Sequence, residues 1–403
     1  MAKEERYFRK GLGLKKEVEE DLRETYHNDL LEHLKAHDRR LRTGDLEIRL
    51  AKEFGFCYGV DRAVDYAYQA RRRFPARRIW LTGEIIHNPH VNRQLLEMGI
   101  GFLSGSSADG TTFDDLGSED VVIIPAFGVS VPEMEALRRS NAILVDTTCG
   151  SVLSVWKRVE RYAREGYTAV IHGKYAHEET RATASRVGIH PGGRYLVVLD
   201  REQAALVCDA IEERADRDAF LGTFREASSP GFDPELHLER IGVANQTTML
   251  SSESLEIAGM LRRSMERRFG EEAAEDRFLN FDTICSATQE RQDAIIEMVD
   301  NDPPDLMVVV GGYNSSNTNH LAEIASQRVP TYHIHGPECV EGPRSLRYKP
   351  VGERDEAVAS GWLPDGSVRV GITAGASTPN SKIGQVVERI LACRGIDPRE
   401  ALV

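Results

Sequence analysis

The chain has 403 residues, 41% of them hydrophobic, enough for two or three domains each with its own core. Its 51 basic and 64 acidic side chains leave a formal charge of −13, so nonspecific nucleic-acid binding has no electrostatic support and an anionic ligand would need a local positive pocket. Six scattered cysteines do not suit a disulfide scaffold, no apolar run approaches the roughly 20 residues of a membrane span, and MAKEERYFRKGLGLKKEVEEDLRE lacks signal-peptide and transit-peptide character; a soluble cytoplasmic protein is expected.

Residues 1–45 are rich in charge, with Leu22, Tyr26, Leu30, Leu31 and Leu34 at helical spacing. They predict an amphipathic helical extension packed on a neighbour. From Leu46 onward, short apolar runs alternate with segments of helical period: RIWLTG, DVVIIPAFG, AILVDTTC, YTAVIHG, YLVVLD, RIGVANQTT, DLMVVVGG and VRVGITAG. Runs that end in Gly, Thr or Asn and lead into a helix predict parallel α/β units, whose ligands gather at the carboxyl ends of the strands. The ranges expected are a first α/β domain over 46–149, a second over 150–281, a third over 282–375, and a C-terminal helix and tail over 376–403. Within the second, the segment 213–240 breaks the rhythm with Ser, Pro, Gly and charge and reads as an inserted surface loop.

Cys57, Cys149 and Cys285 each sit where a strand-like run meets a helix, in EFGFCYGV, ILVDTTCGSV and FDTICSATQERQ. Without the inserted segment their separations are comparable, which suggests three related α/β units each offering one thiolate. Structural zinc sites usually pair their ligands closely, as in C-x-x-C, and no such pair occurs here. Three thiolates suit a 4Fe–4S cluster with one iron left open, and three small buried hydrophobes are the alternative. Cys208 and Cys393 read as core, and Cys339 in GPECVEGP as a loop cysteine without a partner.

Four strand ends carry anion-binding chemistry. GEIIHNPHVN places His87 and Asn88 before a helix, and IHGKYAHEET does the same with His177 and Glu179. GGYNSSNTNHLAE offers Asn314, Ser315, Ser316 and Asn317, and ITAGASTPN offers Ser377 and Thr378. Each alone reads as a helix cap; together with two histidines they exceed what capping requires. No phosphate loop or dinucleotide fingerprint is present.

Taken in order from about residue 45 to 393, GFCYGVDRA, EIIHNP, VDTTCGSV, HEE, NQTTML, DTICSATQERQ, NSSNTNHL and TAGASTP resemble the 4-hydroxy-3-methylbut-2-enyl diphosphate reductases, the last enzymes of the non-mevalonate isoprenoid pathway. The N-terminal extension and PAFGVS look like the longer plant and cyanobacterial branch. The resemblance implies three related α/β domains with mainly parallel sheets, in pseudo-threefold arrangement around a 4Fe–4S cluster with one open iron held by Cys57, Cys149 and Cys285. It implies that His87, His177, Ser315, Asn317 and Ser377, with Ser316 close by, hold the substrate's diphosphate. Glu179, helped by Thr247, would supply the proton for the departing hydroxyl. Two positions depart from the pattern: Phe127 stands where many bacterial members have histidine, removing one diphosphate donor, and Asn380 where Asp is common.

The implied reaction is a two-electron reductive dehydroxylation giving isopentenyl or dimethylallyl diphosphate. Hydroxide leaves poorly, so the chemistry needs a Lewis acid on the oxygen and a proton as the bond breaks. Glu179 must then hold a proton near neutral pH, which burial and a nearby diphosphate favour. With no flavin or nicotinamide fingerprint in the chain, the electrons would come from reduced ferredoxin or flavodoxin, docking on the basic run ARRRFPARR at 70–78. A homodimer is compatible with the chain. A non-redox iron–sulfur hydro-lyase would work without reductant, and a non-catalytic anion-binding protein would be colourless.

Overall fold

Four sheets organise residues 6–105 and 107–399, which the computed structural model describes as an α/β fold with mainly parallel strands. The chain divides into two compact units. One comprises Met1–Arg9, Arg77–Gly83 and Gly101–Cys285, the other Lys10–Ala76, Glu84–Ile100 and Ser286–Val403. No helix among the described residues is long and apolar enough to cross a membrane.

The first unit carries two parallel sheets. In one, the strand order is Tyr7–Phe8, Ile143–Asp146, Val121–Ile124, Ile79–Leu81, with Ile100–Phe102 at the edge. In the other it is Phe278–Asn280, Ile241–Asn245, Thr168–His172, Arg194–Val198. Every residue of Val121–Ile124, Thr168–His172 and Ile241–Asn245 is buried, as parallel strands covered on both faces require. Tyr162 on the helix Gly150–Arg164 shows how close that cover is. Its hydroxyl donates to the Val243 carbonyl at 2.9 Å, and a Cβ at Gly242 would fall 2.6 Å from its ring.

Residues 213–240 are not a surface loop. They form the helices Arg217–Thr223 and Pro234–His237 and place Phe220, Phe224 and Phe232 in the core of the second sheet, with Ser228 bridging antiparallel to Leu196. Phe220 and Phe224, one helical turn apart, meet at 4.7 Å with their rings tilted by 41°. The charge that suggested a loop occupies the outer face, and the three phenylalanines bind the segment to the protein.

The second unit holds a five-stranded sheet in the order Thr331–Ile334, Leu306–Val310, Val368–Ala374, Leu46–Leu50, Arg40–Thr43, parallel except for the last strand. A three-stranded antiparallel sheet, Val340–Gly342, Ser345–Tyr348 and Ala357–Ser360, accompanies it. Leu46–Leu50, expected to open a first domain over 46–149, pairs with Val368–Ala374 from Val368↔Leu46 to Ile372↔Leu50. Contiguous ranges therefore misplace this strand. Ile48 and Leu50 share a core with Val370 and Ile372, and five residues with alternating Leu, Ile and Leu carry no mark of the sheet that receives them.

The expected single amphipathic extension is two helices, Lys15–Tyr26 and Asp29–Ala36, broken where Asn28 takes an extended conformation and caps the second by accepting from the Leu31 N–H. Asn28 also donates to Glu388 on the C-terminal helix Asn380–Cys393 at 2.9 Å. A Cβ at Gly384 would lie 2.1 Å from the Asn28 amide, so only glycine admits this contact. Tyr7–Phe8 instead joins the first unit, alongside Ile143–Asp146.

Candidate active site

All eleven residues singled out for the site lie at strand ends or helix starts. In the first unit, Cys149 ends the loop after Ile143–Asp146 and is the N-cap of Gly150–Arg164. Its N–H donates to the Ala126 carbonyl at 2.9 Å, and its carbonyl accepts from Leu153 at 3.1 Å. Asp146 fixes the approach. Oδ1 accepts from the Thr148 N–H at 2.9 Å and hydroxyl at 2.6 Å, while Oδ2 accepts from the Tyr7 hydroxyl. Burial, and then Asp146, push the Tyr7 phenol up to about 12, so it stays a donor.

His177 caps the helix Glu178–Val187, with Nδ1 accepting the Glu179 N–H at 3.1 Å. That bond places the ring proton of the neutral imidazole on Nε2, a donor. The Phe127 ring stands edge-on to His177 at 5.3 Å, an apolar wall where a histidine would have added a second donor. Glu179 is 1% exposed. Oε1 accepts the Thr247 N–H at 2.6 Å, and Oε2 lies 3.0 Å from the Thr247 hydroxyl. The Thr247 carbonyl accepts in turn from the N–H of Cys285 at 3.1 Å. Hydrogen bonds thus join His177, Glu179, Thr247 and Cys285. The neighbouring Gln246 locks the same turn, its Oε1 accepting from the Lys174 N–H and the Thr180 hydroxyl.

In the second unit, Cys57 is the N-cap of Tyr58–Arg73. Its N–H donates to the Ala376 carbonyl at 3.2 Å, and the Ala376 N–H donates to Oδ1 of Asn317 at 2.9 Å. Asn317 Nδ2 donates to Thr288 at 3.3 Å and keeps a second hydrogen for another acceptor. His87 Nδ1 lies 2.9 Å from Glu84 Oε2, and a Cβ at Gly312 would fall 2.4 Å from the His87 carbonyl oxygen. Asn88 caps Pro89–Glu97 and donates to the Ser377 carbonyl at 2.8 Å, while the Ser377 hydroxyl donates to the His87 carbonyl at 3.3 Å. Ser315 caps Ser316–Ser326 by accepting from the Thr318 N–H at 3.3 Å, which leaves its hydroxyl hydrogen to give. Ser316 is the buried first residue of that helix. Burial, then Lys382 and Arg93, push His90 down to about 4, so this neighbour of the His87 turn is neutral.

Each of the three cysteines, taken in its own unit, offers a soft thiolate at a helix start, the ligand chemistry that an iron–sulfur cluster uses. Each is half-buried and outside any disulfide, and each immediately precedes a helix of 15 or 16 residues. Helix N-termini offer amide dipoles to an anionic cluster. Two supporting residues carried no warning beyond their motifs. Arg291, in TQERQ, is buried and donates to the Gly55 and Ala287 carbonyls at 2.7 Å each, bracing the turn before Cys57. Asp146, in VDTTC, reads as an ordinary strand end until its three donors are seen.

The basic run 70–78 is less free than its sequence suggests. Arg78 is held by Asp120 at 2.7 and 2.8 Å, whereas Arg72 is 59% exposed and reaches Glu17 at 3.9 Å.

A profile of the LytB protein family matches residues 48–391. A relative from Gloeobacter violaceus, named 4-hydroxy-3-methylbut-2-enyl diphosphate reductase, is 48% identical over 97% of this chain and 93% of its own. One of the same name from Synechococcus sp. strain RCC307 is 50% identical over 96% and 94%. Among solved structures, the (E)-4-hydroxy-3-methyl-but-2-enyl diphosphate reductase described as the terminal enzyme of the non-mevalonate pathway is 28% identical. It covers 86% of this chain and 99% of its own, with a TM-score of 0.52. The Plasmodium falciparum E-1-hydroxy-2-methyl-but-2-enyl-4-diphosphate reductase, 20% identical with a TM-score of 0.61 over 87% and 89%, shares the fold.

Proposed function

The chain belongs to the LytB family of 4-hydroxy-3-methylbut-2-enyl diphosphate reductases, and from that premise we propose how its own residues carry the reaction. The substrate, two electrons and two protons give isopentenyl or dimethylallyl diphosphate and water, the last step of the non-mevalonate pathway. Cys57, Cys149 and Cys285 hold a 4Fe–4S cluster with one open iron. When bound, that group supplies the electrons and a Lewis acid for the leaving oxygen.

The observation that carries the reading is the double contact between Glu179 and Thr247. Because the Thr247 N–H occupies Oε1, the proton that Glu179 delivers to the departing hydroxyl resides on Oε2. Thr247 Oγ1 holds that oxygen in place, and a hydroxyl serves as acceptor when the acid is protonated and as donor afterwards. The diphosphate is taken by donors: His177 through Nε2–H, Ser315 through its hydroxyl, Asn317 through Nδ2, and His87, with Ser316 at the start of its helix and Ser377, whose hydroxyl turns from the His87 carbonyl to give its hydrogen. Phe127 in place of a histidine shifts the burden of that charge to hydroxyls and helix-terminal amides.

Electrons arrive from reduced ferredoxin or flavodoxin, whose acidic surface suits the Arg72 and Arg73 end of the basic run. Six cysteines, none of them in a disulfide, suit the reducing cytoplasm. The test is an anaerobic assay of the reconstituted enzyme on the diphosphate, with and without reductant. Isopentenyl and dimethylallyl diphosphate appearing only with reductant is the expected result. Water loss without reductant would make the protein a hydro-lyase, and no turnover with a full cluster would overturn the reading.

A further inference from the structure

We propose that His335, Cys339 and Glu356 form a binding site for one divalent transition-metal ion of the zinc class, in a part of the second unit that the reductase chemistry does not use. One ligand atom from each residue lies within 4.8 Å of the other two. Zinc–ligand bonds of about 2.0–2.3 Å in a tetrahedron set ligand atoms about 3.3–3.8 Å apart, so closure by about an ångström completes the site.

The residues come from three elements. His335 directly follows the strand Thr331–Ile334, Cys339 ends the short turn Pro337–Cys339, and Glu356 directly precedes the strand Ala357–Ser360. Thiolate, neutral imidazole and carboxylate together neutralise a divalent ion, and sulfur with imidazole selects zinc over magnesium or calcium. His335 Nε2 faces Glu356 Oε1 at 3.5 Å, while Nδ1 lies 3.1 Å from Glu338 Oε1. A carboxylate on the far ring nitrogen is the usual orienting partner of a metal-binding histidine.

Support extends one layer outward. The Tyr313 hydroxyl donates to Glu356 Oε1 at 2.7 Å and lies 4.0 Å from the Cys339 sulfur, and its ring stands edge-on to His335 at 5.1 Å. Arg347 takes Glu356 Oε2 at 3.2 Å, which turns Oε1 toward the cluster. Cys339 is fully buried in the core of this unit, and its sulfur is the atom that this core presents to His335 and Glu356. Access is through the His335 and Glu356 side chains, 28% and 34% exposed, and the fourth position is left for water. A bound ion would tie the edge of the parallel sheet to the antiparallel one.

The test uses the iron–sulfur holoenzyme, dialysed anaerobically against buffered micromolar free Zn²⁺ and analysed for zinc and iron. The wild type should hold one zinc per chain beyond its iron, with one sulfur neighbour at about 2.3 Å in zinc-edge absorption. Cys339→Ser and His335→Gln should each lose that zinc at unchanged iron, and Cys208→Ser should keep it. Absence of the zinc, or its retention in both His335→Gln and Cys339→Ser, would overturn the proposal. Should Cys339→Ser fail to fold, His335→Gln, at a partly exposed side chain, decides alone.

Discussion

Glu179 and Thr247 meet through both carboxylate oxygens, the backbone N–H on Oε1 at 2.6 Å and the hydroxyl beside Oε2 at 3.0 Å. The two contacts separate position from proton. Thr247→Val removes the hydroxyl and leaves the backbone bond, so turnover should fall about 10- to 100-fold, the effect of one hydrogen bond to a charged group. Thr247→Ser should restore it. Glu179→Gln should cost more, about 10²–10⁴-fold, with iron content and substrate binding retained. A Glu179→Gln enzyme at near wild-type rate would remove this residue from the mechanism.

The Tyr7 phenol reaches the cysteine loop through Asp146, whose other oxygen holds Thr148. Tyr7→Phe should therefore lower stability by about 1.5–3 kcal/mol, the range for a hydrogen bond to a charged group. Thermal melting of the anaerobic holoenzyme measures it. An unchanged melting temperature would mean that the first strand does not brace the Cys149 turn.

Acid stability should depend on Glu212. Hydrogen bonds from Arg267, then Ser264 and Arg214, hold this carboxyl down at about 2 against an ordinary 4.5. A carboxyl lowered in the folded state adds stability above its unfolded pKa and loses it as the pH falls through its folded one. Glu212→Gln should be less stable than wild type at pH 7, with the gap closing as the pH falls from about 4.5 towards 2. A gap that stays constant over that range would show that the charge on Glu212 contributes nothing.

Charge reversal at Arg72 and Arg73 should raise the apparent KM for ferredoxin several-fold and leave dithionite-driven turnover unchanged. Arg78 is excluded from this test because its pairing with buried Asp120 is structural. Equal kinetics with ferredoxin would place the dock elsewhere.

Much of the site was legible because strand ends in parallel sheets have a recognisable grammar: an apolar run, a polar turn, a helix. Cys149, His177 and Ser315 stand at such ends, and each caps a helix as its spacing suggests. What the sequence hid were relations rather than residues. Ala376 links Cys57 to Asn317 through its backbone alone, so no side-chain pattern announces it. Leu46–Leu50 gave no sign that its partner lay more than 300 residues away, because backbone pairing between parallel strands leaves no mark in the side chains of either. The segment 213–240 misled through composition, since three inward phenylalanines outweigh its charge in deciding where it packs.

The account rests most directly on Cys57, Cys149 and Cys285 holding one cluster with an open iron. Anaerobic purification followed by visible absorption and Mössbauer spectra, with and without the diphosphate, measures this. A brown band at roughly 400 nm, with one iron distinct from the rest and shifted by substrate, is the predicted result. A colourless protein that takes up no iron on reconstitution would contradict it and leave the three cysteines as packing.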